Sequence, residues 1–285
     1  MLDEMEISEG ILLVDSVNYL DSAAQGSVVI AGSHGGTYAA YKAVASGARA
    51  VILNDAGVGL KGAGIACLDY CEQIGMAAAV VSHTSARIGE AADMLRRGLI
   101  SNANRLAKNV NCIPGIACAP AAICLKRAPL PIGIPPAYEE TRFLVSEGPP
   151  RIVCIDSASL VKTEDVGQII ITGSHGGLIG GKREKAFNVQ AFVTIFNDAG
   201  VGIDQAGIGR LDPLNERGIA AATVAHTSAC IGDSRSTYYE GVISHVNQQA
   251  ITLGASRGEM VRDFVERVVE ERFPKQRVYS VDSKK

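Results

Sequence analysis

The sequence predicts an α/β protein built from two tandem copies of one three-layer α/β/α unit with a mainly parallel sheet. Residues 54–104 and 197–247 align without a gap and are identical at 26 of 51 positions. Short apolar runs of strand length alternate with helical stretches, as in parallel sheets that are covered on both faces. The runs within 28–36 and 169–177 both lead into Gly-Ser-His-Gly-Gly. We expect a pseudo-twofold relation between the units, with two adjoining sheets or one continuous sheet.

The strands and helices of the first copy are predicted from apolar runs and from the glycines that can end helices. Its predicted strands are 11–16, 28–31, 50–53 and 77–81. Each predicted helix is followed by a glycine that can end it, and these helices are 37–46, 62–73 and 86–97. The second copy restarts at 151–157, and its residues 259–268 pair with 116–125 as an amphipathic helix.

Proline separates the two copies. Residues 126–150 contain six prolines in 25 residues, a density that excludes helix and central strand and leaves room for one edge strand at 142–145. We therefore divide the chain into a first repeat at 1–125, a linker at 126–150, and a second repeat with a C-terminal helix at 151–285.

Composition excludes several classes of function. A net charge of −3 gives no electrostatic reason to expect a nucleic-acid partner or an anionic membrane. The acidic start of the chain does not resemble a signal peptide, and no apolar run approaches the length of a membrane span. Seven cysteines without a Cys-x-x-Cys pair fit reduced thiols, and so the cytoplasm. The expected partner is a small-molecule substrate, and a homo-oligomer is left open.

Polar motifs occur in both copies directly after predicted strands, where ligands bind in open α/β sheets. The candidate catalytic residues are Ser33, His34, Asp55, His83, Ser85, Ser174, His175, Asp198, His226, Ser228 and Cys230. The candidate substrate-binding residues are Gly35, Gly36, Asn54, Arg87, Gly176, Gly177, Asn197 and Arg210. Each motif alone also fits a tight turn or a helix cap, but the repetition of His, Asp, His and Ser in both copies favours a ligand site.

The residue types indicate acid–base chemistry on an anion. Histidine exchanges protons near neutral pH, an adjacent Asp orients it, and a Ser hydroxyl can serve as nucleophile. The Gly-Gly pairs predict N–H groups that face an anion at a helix start.

Arginine and cysteine exchange places between the copies. Arg87 aligns with Cys230, and Cys67 aligns with Arg210. Either guanidinium could bind a carboxylate, and Cys230 is a candidate nucleophile or a small buried thiol. A basic stretch is found only after the second Ser-His-Gly-Gly and contains Lys182, Arg183 and Lys185. It is predicted to be a solvated face, and a phosphate-facing role is the alternative.

The predicted activity is hydrolysis of an amide-type C–N bond in a small polar, anionic metabolite. One alternative is a metal-dependent lyase or isomerase that acts on a small carboxylate, and another is a non-catalytic ligand-binding protein. The cofactor is unknown and is either none or a divalent Zn, Mn or Fe ion. The metal-ligand candidates are His34, Asp55, His83, His175, Asp198 and His226. The preferred site is built from His34, Asp55 and His83, or from their counterparts His175, Asp198 and His226. The sequence leaves open whether both copies are active, one has decayed, or a single site lies between them.

Overall fold

Two α/β units make up the described part of the chain, residues 9–274, in the computed structural model. Each unit has its own sheet, and apolar clusters on both faces of each sheet bury the helices against it. The predicted α/β class with two similar units is confirmed. No helix within residues 9–274 combines the length and the apolar character needed to cross a membrane.

The first sheet has five strands in sequential order. They are β1 Ile11–Val14, β2 Val28–His34, β3 Ala50–Asn54, β4 Ala77–Val81 and β5 Ile100–Ala103. The first four strands are parallel and β5 is antiparallel to β4. Every residue of β3 and β4 is buried, and apart from Asn54 at the end of β3 all of them are apolar, as is typical of strands covered on both faces.

The second sheet repeats this order and adds one strand at its edge. Its strands are β6 Arg142–Ser146, β7 Ile152–Ile155, β8 Ile169–His175, β9 Val193–Asn197, β10 Ala220–Val224 and β11 Ile243–Val246. β6 comes from the proline-rich segment and pairs antiparallel with β7, so the edge strand predicted at 142–145 is confirmed. Residues 127–141, which we call the strap, contain no helix or strand.

The α-helices of the described residues are α1 Thr37–Ala45, α2 Cys67–Gln73, α3 Ala91–Arg97, α4 Arg105–Lys108, α5 Cys118–Leu125, α6 Leu211–Glu216, α7 Ser234–Tyr239, α8 Gln248–Thr252 and α9 Val261–Arg272. In the first unit, α1 and α2 cover one face of the sheet, and α3, α4 and α5 cover the other. The predicted amphipathic C-terminal helix is confirmed as α9. Its buried residues follow the helical spacing: Val261, Phe264, Val265 and Val268.

Two predicted helices are shorter than expected. The helix predicted at 86–97 begins only at Ala91, because Gly89 has a φ of +86° and its N–H donates to the carbonyl of Gly32 at 2.7 Å. A Cβ at position 89 would lie 2.0 Å from the carbonyl oxygen of Leu178 in the other copy, so only glycine fits. The helix predicted at 62–73 begins at Cys67, since Gly62 has a positive φ.

The loops that follow β3 and β9 pack against each other and join the copies. Gly57 and Gly200 are so close that a Cβ built on either would lie 3.0 Å from the Cα of the other. The N–H of Leu60 donates to the carbonyl of His226 at 2.7 Å, and the equivalent bond from the second copy ends on His83. An apolar cluster shared by the copies contains Ala56, Ile88, Ala199 and Ile231. The interface is therefore made of the repeated motifs themselves.

Candidate functional site

A cavity of about 340 Å³ lies between the two copies at the carboxyl ends of β2 and β8. Its volume falls at the lower end of the usual range for small-molecule sites. Both copies line it, and each contributes the serine and histidine of its Gly-Ser-His-Gly-Gly turn: Ser33, His34, Ser174 and His175. The structure thus brings together these four predicted residues, which are far apart in sequence.

The two cavity histidines are held in the same way. Nδ1 of His34 accepts the N–H of Gly36 at 3.1 Å, and Nδ1 of His175 accepts the N–H of Gly177 at 3.1 Å. An accepting Nδ1 leaves the proton of a neutral imidazole on Nε2. Burial lowers the pKa of His34 to about 4. Burial, with smaller effects of Arg210 and His34, also holds the pKa of His175 well below its usual value. Both rings are therefore neutral Nε2–H donors at pH 7.

Arg210 gives one end of the cavity a buried positive charge. Its side chain is only 5% exposed, and its Nε donates to the carbonyl of Gly177 at 2.9 Å while Nη1 donates to the carbonyl of Ala186. No carboxylate within residues 9–274 forms an ion pair with it, and burial lowers its pKa to about 10. Lys185 lines the same cavity and is exposed. A buried cation without a counterion is costly, which points to an anionic ligand at this end.

Glu140 gives the cavity an acid–base group of different character. Burial, reinforced by the negative charge of Asp156, raises the pKa of Glu140 to about 7. The nearby hydroxyls of Ser157 and Tyr38 lower the pKa of Glu140 and so oppose this shift. All four of these side chains line the cavity. A carboxyl group with a pKa near neutrality can both accept and return a proton at pH 7.

The strap holds Glu140 in place by contacts with both copies. On the first copy, the N–H of Gly133 donates to the carbonyl of Ile74, and the hydroxyl of Tyr70 donates to the carbonyl of Pro136, both at 3.1 Å. On the second copy, the N–H and hydroxyl of Thr141 both donate to Oδ2 of Asp156 at 2.7 Å. Glu140 is therefore adjacent to a fixed anchor.

The other two histidines lie outside this cavity. Nδ1 of His83 is 2.8 Å from Oδ1 of Asp55, whose Oδ2 accepts the hydroxyl of Ser101 at 2.8 Å. Burial raises the pKa of Asp55, but the hydrogen bonds from His83 and Ser101 outweigh it and hold the pKa below its usual value. The second copy repeats the pair, with Nδ1 of His226 at 3.0 Å from Asp198. We call these two pairs the interface dyads.

Each interface dyad packs on the loop of the other copy. A Cβ at Gly200 would lie 2.7 Å from Cδ2 of His83, and one at Gly57 would lie 2.8 Å from Cδ2 of His226. About a quarter of each imidazole side chain is exposed. His34 is thus not combined with Asp55 and His83 in one cleft. The sequence could not reveal this division because all of these residues follow parallel strands.

The predicted metal-ligand sets are also divided by this arrangement. Within residues 9–274, no three His, Cys, Asp or Glu side chains are grouped closely enough to hold a metal ion. Neither His34 with Asp55 and His83, nor the equivalent set of the second copy, forms one coordination site.

Several predicted polar residues have hydrogen bonds to the backbone. The hydroxyl of Ser33 accepts the N–H of Val17 at 3.0 Å, and that of Ser174 accepts the N–H of Ala158 at 2.9 Å. Away from the cavity, the hydroxyl of Ser85 donates to the carbonyl of Ser82 and accepts the N–H of Leu99. Ser228 makes the same two contacts in its copy. These bonds tie loops to strand ends.

The glycine and asparagine candidates likewise bond within the protein. The N–H groups of Gly36 and Gly177 donate to the cavity histidines, and those of Gly35 and Gly176 donate to the carbonyls of Asn54 and Asn197. These four N–H groups therefore have hydrogen-bond partners within the protein. The two asparagine side chains are buried and donate to the carbonyls of Ala86 and Ala229. These bonds hold the loop after β4 in the first copy and the loop after β10 in the second copy.

The exchanged arginine and cysteine also differ in placement. Arg87 lies at the surface, where it pairs with Asp204 of the other copy and with Glu90. The thiol of Cys230 is half-buried and lies 3.6 Å from the carbonyl oxygen of Leu60 in the other copy. Neither residue lines the cavity between the copies.

Sequence reasoning missed Glu140, Tyr38 and Asp156 as cavity residues. Glu140 was hidden because the proline-rich segment around it has the composition of a plain linker. Asp156 does have a counterpart, Asp15, but both stand at the end of an apolar run that was interpreted only as a strand. Tyr38 lies in the Ala-rich stretch that was interpreted only as a helix. Lys185, predicted as part of a solvated face, is exposed and also lines the cavity.

Comparison of the chain with models of protein families, with curated proteins and with solved structures found no match.

Proposed function

We propose that the protein is an enzyme that hydrolyses an amide-type C–N bond in a small anionic molecule, in the cavity between the two copies. The observation that carries this proposal is that His34 and His175, one from each copy, are neutral Nε2–H donors in the same cavity that Glu140 lines. Donors and a base arranged around one small space are what amide hydrolysis needs.

The reaction follows from the protonation states. Glu140, with a pKa of about 7, takes a proton from a water molecule as the water oxygen attacks the carbonyl carbon of the amide. Negative charge then develops on the carbonyl oxygen, where the Nε2–H groups of His34 and His175 stabilise it. The C–N bond breaks, and Glu140 returns the proton to the leaving nitrogen. One amide and one water give one carboxylic acid and one amine.

Activated water is better supported than a serine nucleophile. The hydroxyl of Ser33 already accepts the N–H of Val17, and no side-chain base within residues 9–274 hydrogen-bonds it. The dyads of His83 and His226, which could serve as bases, lie outside the cavity.

A second candidate is proton abstraction next to a carboxylate, as in a lyase or isomerase. It is favoured by one specific observation, the combination of a carboxyl group with a pKa near 7 and neutral imidazole donors. This combination suits formation of an enolate, because the carboxylate removes the proton while the imidazole stabilises the oxygen. It uses the same residues in the same roles.

The test uses a panel of small carboxylates that carry an amide, with the purified protein and its Glu140→Gln variant. We expect release of amine or ammonia, incorporation of one ¹⁸O from labelled water into the acid product, and a large loss of both in the variant. Exchange of a C–H hydrogen with deuterium from solvent, without amine release, would instead support the lyase or isomerase. Binding without any turnover would identify a non-catalytic ligand-binding protein.

A further inference from the structure

The cavity between the copies has two chemically different ends. Arg210 and Lys185, both from the second copy, belong to one end, and Tyr19 of the first copy lies close enough to Arg210 to influence its pKa. Glu140 of the strap belongs to the other end, where Tyr38 of the first copy contacts it. His175 lies between these groups in the sheet order, because it ends β8, whose neighbours are β7 and β9. Arg210 follows β9, and Asp156, to which the strap is fixed, follows β7.

The two ends reflect a difference between the copies in the segment that follows the Ser-His-Gly-Gly turn. In the first copy, α1 follows the Ser-His-Gly-Gly turn and carries Tyr38. In the second copy, residues 178–192 contain only a short 3₁₀ turn at Arg183–Lys185, and this loop carries Lys185 to the cavity. Arg210 supports the loop through the carbonyls of Gly177 and Ala186. A duplicated site has thus become a single cavity with unlike ends.

We infer that the substrate is a short molecule with a carboxylate at one end and an amide nitrogen at the other. Its carboxylate binds Arg210 and Lys185, because the buried guanidinium has no other counterion within residues 9–274. Its amide nitrogen faces Glu140, and its carbonyl oxygen lies between the Nε2–H donors of the two histidines. This inference rests on the proposed function and fixes the direction in which the substrate lies.

The experiment compares two probes of similar size that differ in one terminal group, a charged carboxylate or an uncharged amide. Succinamate has a carboxylate and an amide, and succinamide has an amide at both ends. Binding to the full chain is measured by calorimetry at pH 7 and low salt. We expect succinamate to bind about tenfold more tightly than succinamide, since a carboxylate next to a buried guanidinium gains a charged hydrogen bond.

Variants at the two ends distinguish the roles. Lys185→Gln should weaken the binding of succinamate by about threefold, because Lys185 is exposed and its ion pair is weak. The affinity for succinamide should not change. Arg210→Gln should abolish the preference for succinamate in any protein that remains folded. Glu140→Leu should weaken the binding of both probes by the same factor, because both probes carry an amide. Lys182→Gln is the matched control, since Lys182 is also exposed but does not line the cavity.

Three results would overturn the inference. The first is equal affinity of the protein for the two probes, and the second is a Lys185→Gln variant that loses the same affinity for both probes. The third is a Lys182→Gln variant that loses as much affinity for succinamate as Lys185→Gln does. Absence of binding by both probes at millimolar concentration would also overturn it. The failure of the proposed function is separate. Selective binding of succinamate without turnover of any panel amide removes hydrolysis and keeps the charge assignment, whereas turnover without charge selectivity does the opposite.

Discussion

The Gly-Ser-His-Gly-Gly turn leads into a helix in the first copy and into a loop in the second copy. In the first copy, Gly-Ser-His-Gly-Gly runs into α1, which packs over the fully buried thiol of Cys67. In the second copy the helix is replaced by a loop, and Arg210 stands at the position of Cys67 and bonds two carbonyls of that loop. A helix satisfies its own carbonyls, and a loop does not. The arginine therefore supplies donors that a helix makes unnecessary, and it brings a charge to the cavity.

The largest expected effect comes from giving the first copy the residue of the second. Cys67→Arg places a guanidinium under α1, where the thiol is fully buried and only 3.0 Å from the position of a Cβ on Gly35. We expect a loss of more than about 4 kcal/mol, because an unpaired charge and excess volume are buried together. Urea unfolding followed by circular dichroism measures this loss.

Cys67→Ala is the matched control for this substitution and should cost about 1 to 2 kcal/mol, because it removes one small buried group. If the arginine variant unfolded at the same urea concentration as the alanine variant, the first copy could hold an arginine without the loop. The contrast between the copies would then have no physical basis.

The next effect concerns the cavity histidines, one from each copy. His34→Ala and His175→Ala each remove one Nε2–H donor, and we expect kcat to fall about 100- to 1,000-fold in each. His83→Ala is the comparison, since His83 lies outside the cavity and packs on Gly200. Steady-state kinetics on the best panel amide, with folding checked by thermal unfolding, gives the ranking. An equal fall in all three variants would contradict the division between cavity histidines and interface dyads.

A pH-dependent loss of stability should accompany burial of the cavity histidines. The pKa of His34 is about 4 in the folded chain and near 6.5 when unfolded, so the unfolded state binds more protons between these values. Stability is then fully present above pH 6.5 and falls as the pH drops toward 4, by on the order of 2 to 3 kcal/mol for His34. Urea unfolding at pH 7 and pH 4.5 measures this change.

Glu140 acts in the opposite direction, because its folded pKa of about 7 lies above the unfolded value of 4.5. Its contribution to stability is present below pH 4.5 and is lost as the pH rises through 7. The comparison should therefore be made in a Glu140→Gln background, with and without His34→Gln. A loss of stability in acid that is unchanged by His34→Gln would show that this histidine is not the group that titrates.

The smallest expected effect is that of replacing Arg87, the exposed one of the two arginines that exchange places with cysteine between the copies. Arg87→Met breaks the surface ion pair with Asp204 at 3.0 Å, and we expect a cost below about 1 kcal/mol that disappears at high salt. Arg210→Met should cost several times more, because it leaves the carbonyls of Gly177 and Ala186 without their donors. Unfolding of both variants at low and high salt provides the comparison. If both variants lost the same free energy of unfolding, the burial of Arg210 would make no difference to its contribution to stability.

The sequence by itself determined the duplication, the α/β class and the placement of polar motifs after strands. These features are readable because they depend on local patterns: β4 is an unbroken apolar run, and α9 shows the spacing of one buried helical face. The edge strand β6 was also within reach, since proline permits a strand only at an edge.

Only the tertiary structure decided which polar residues share a space. His34 ends β2 and His83 follows β4 of the same sheet, yet one lines the cavity with His175 and the other packs on Gly200. Glu140 joins the cavity because the strap crosses from one copy to the other and is fixed to Asp156. Contacts between distant segments depend on how two folded surfaces fit, and no local pattern of residues encodes that fit.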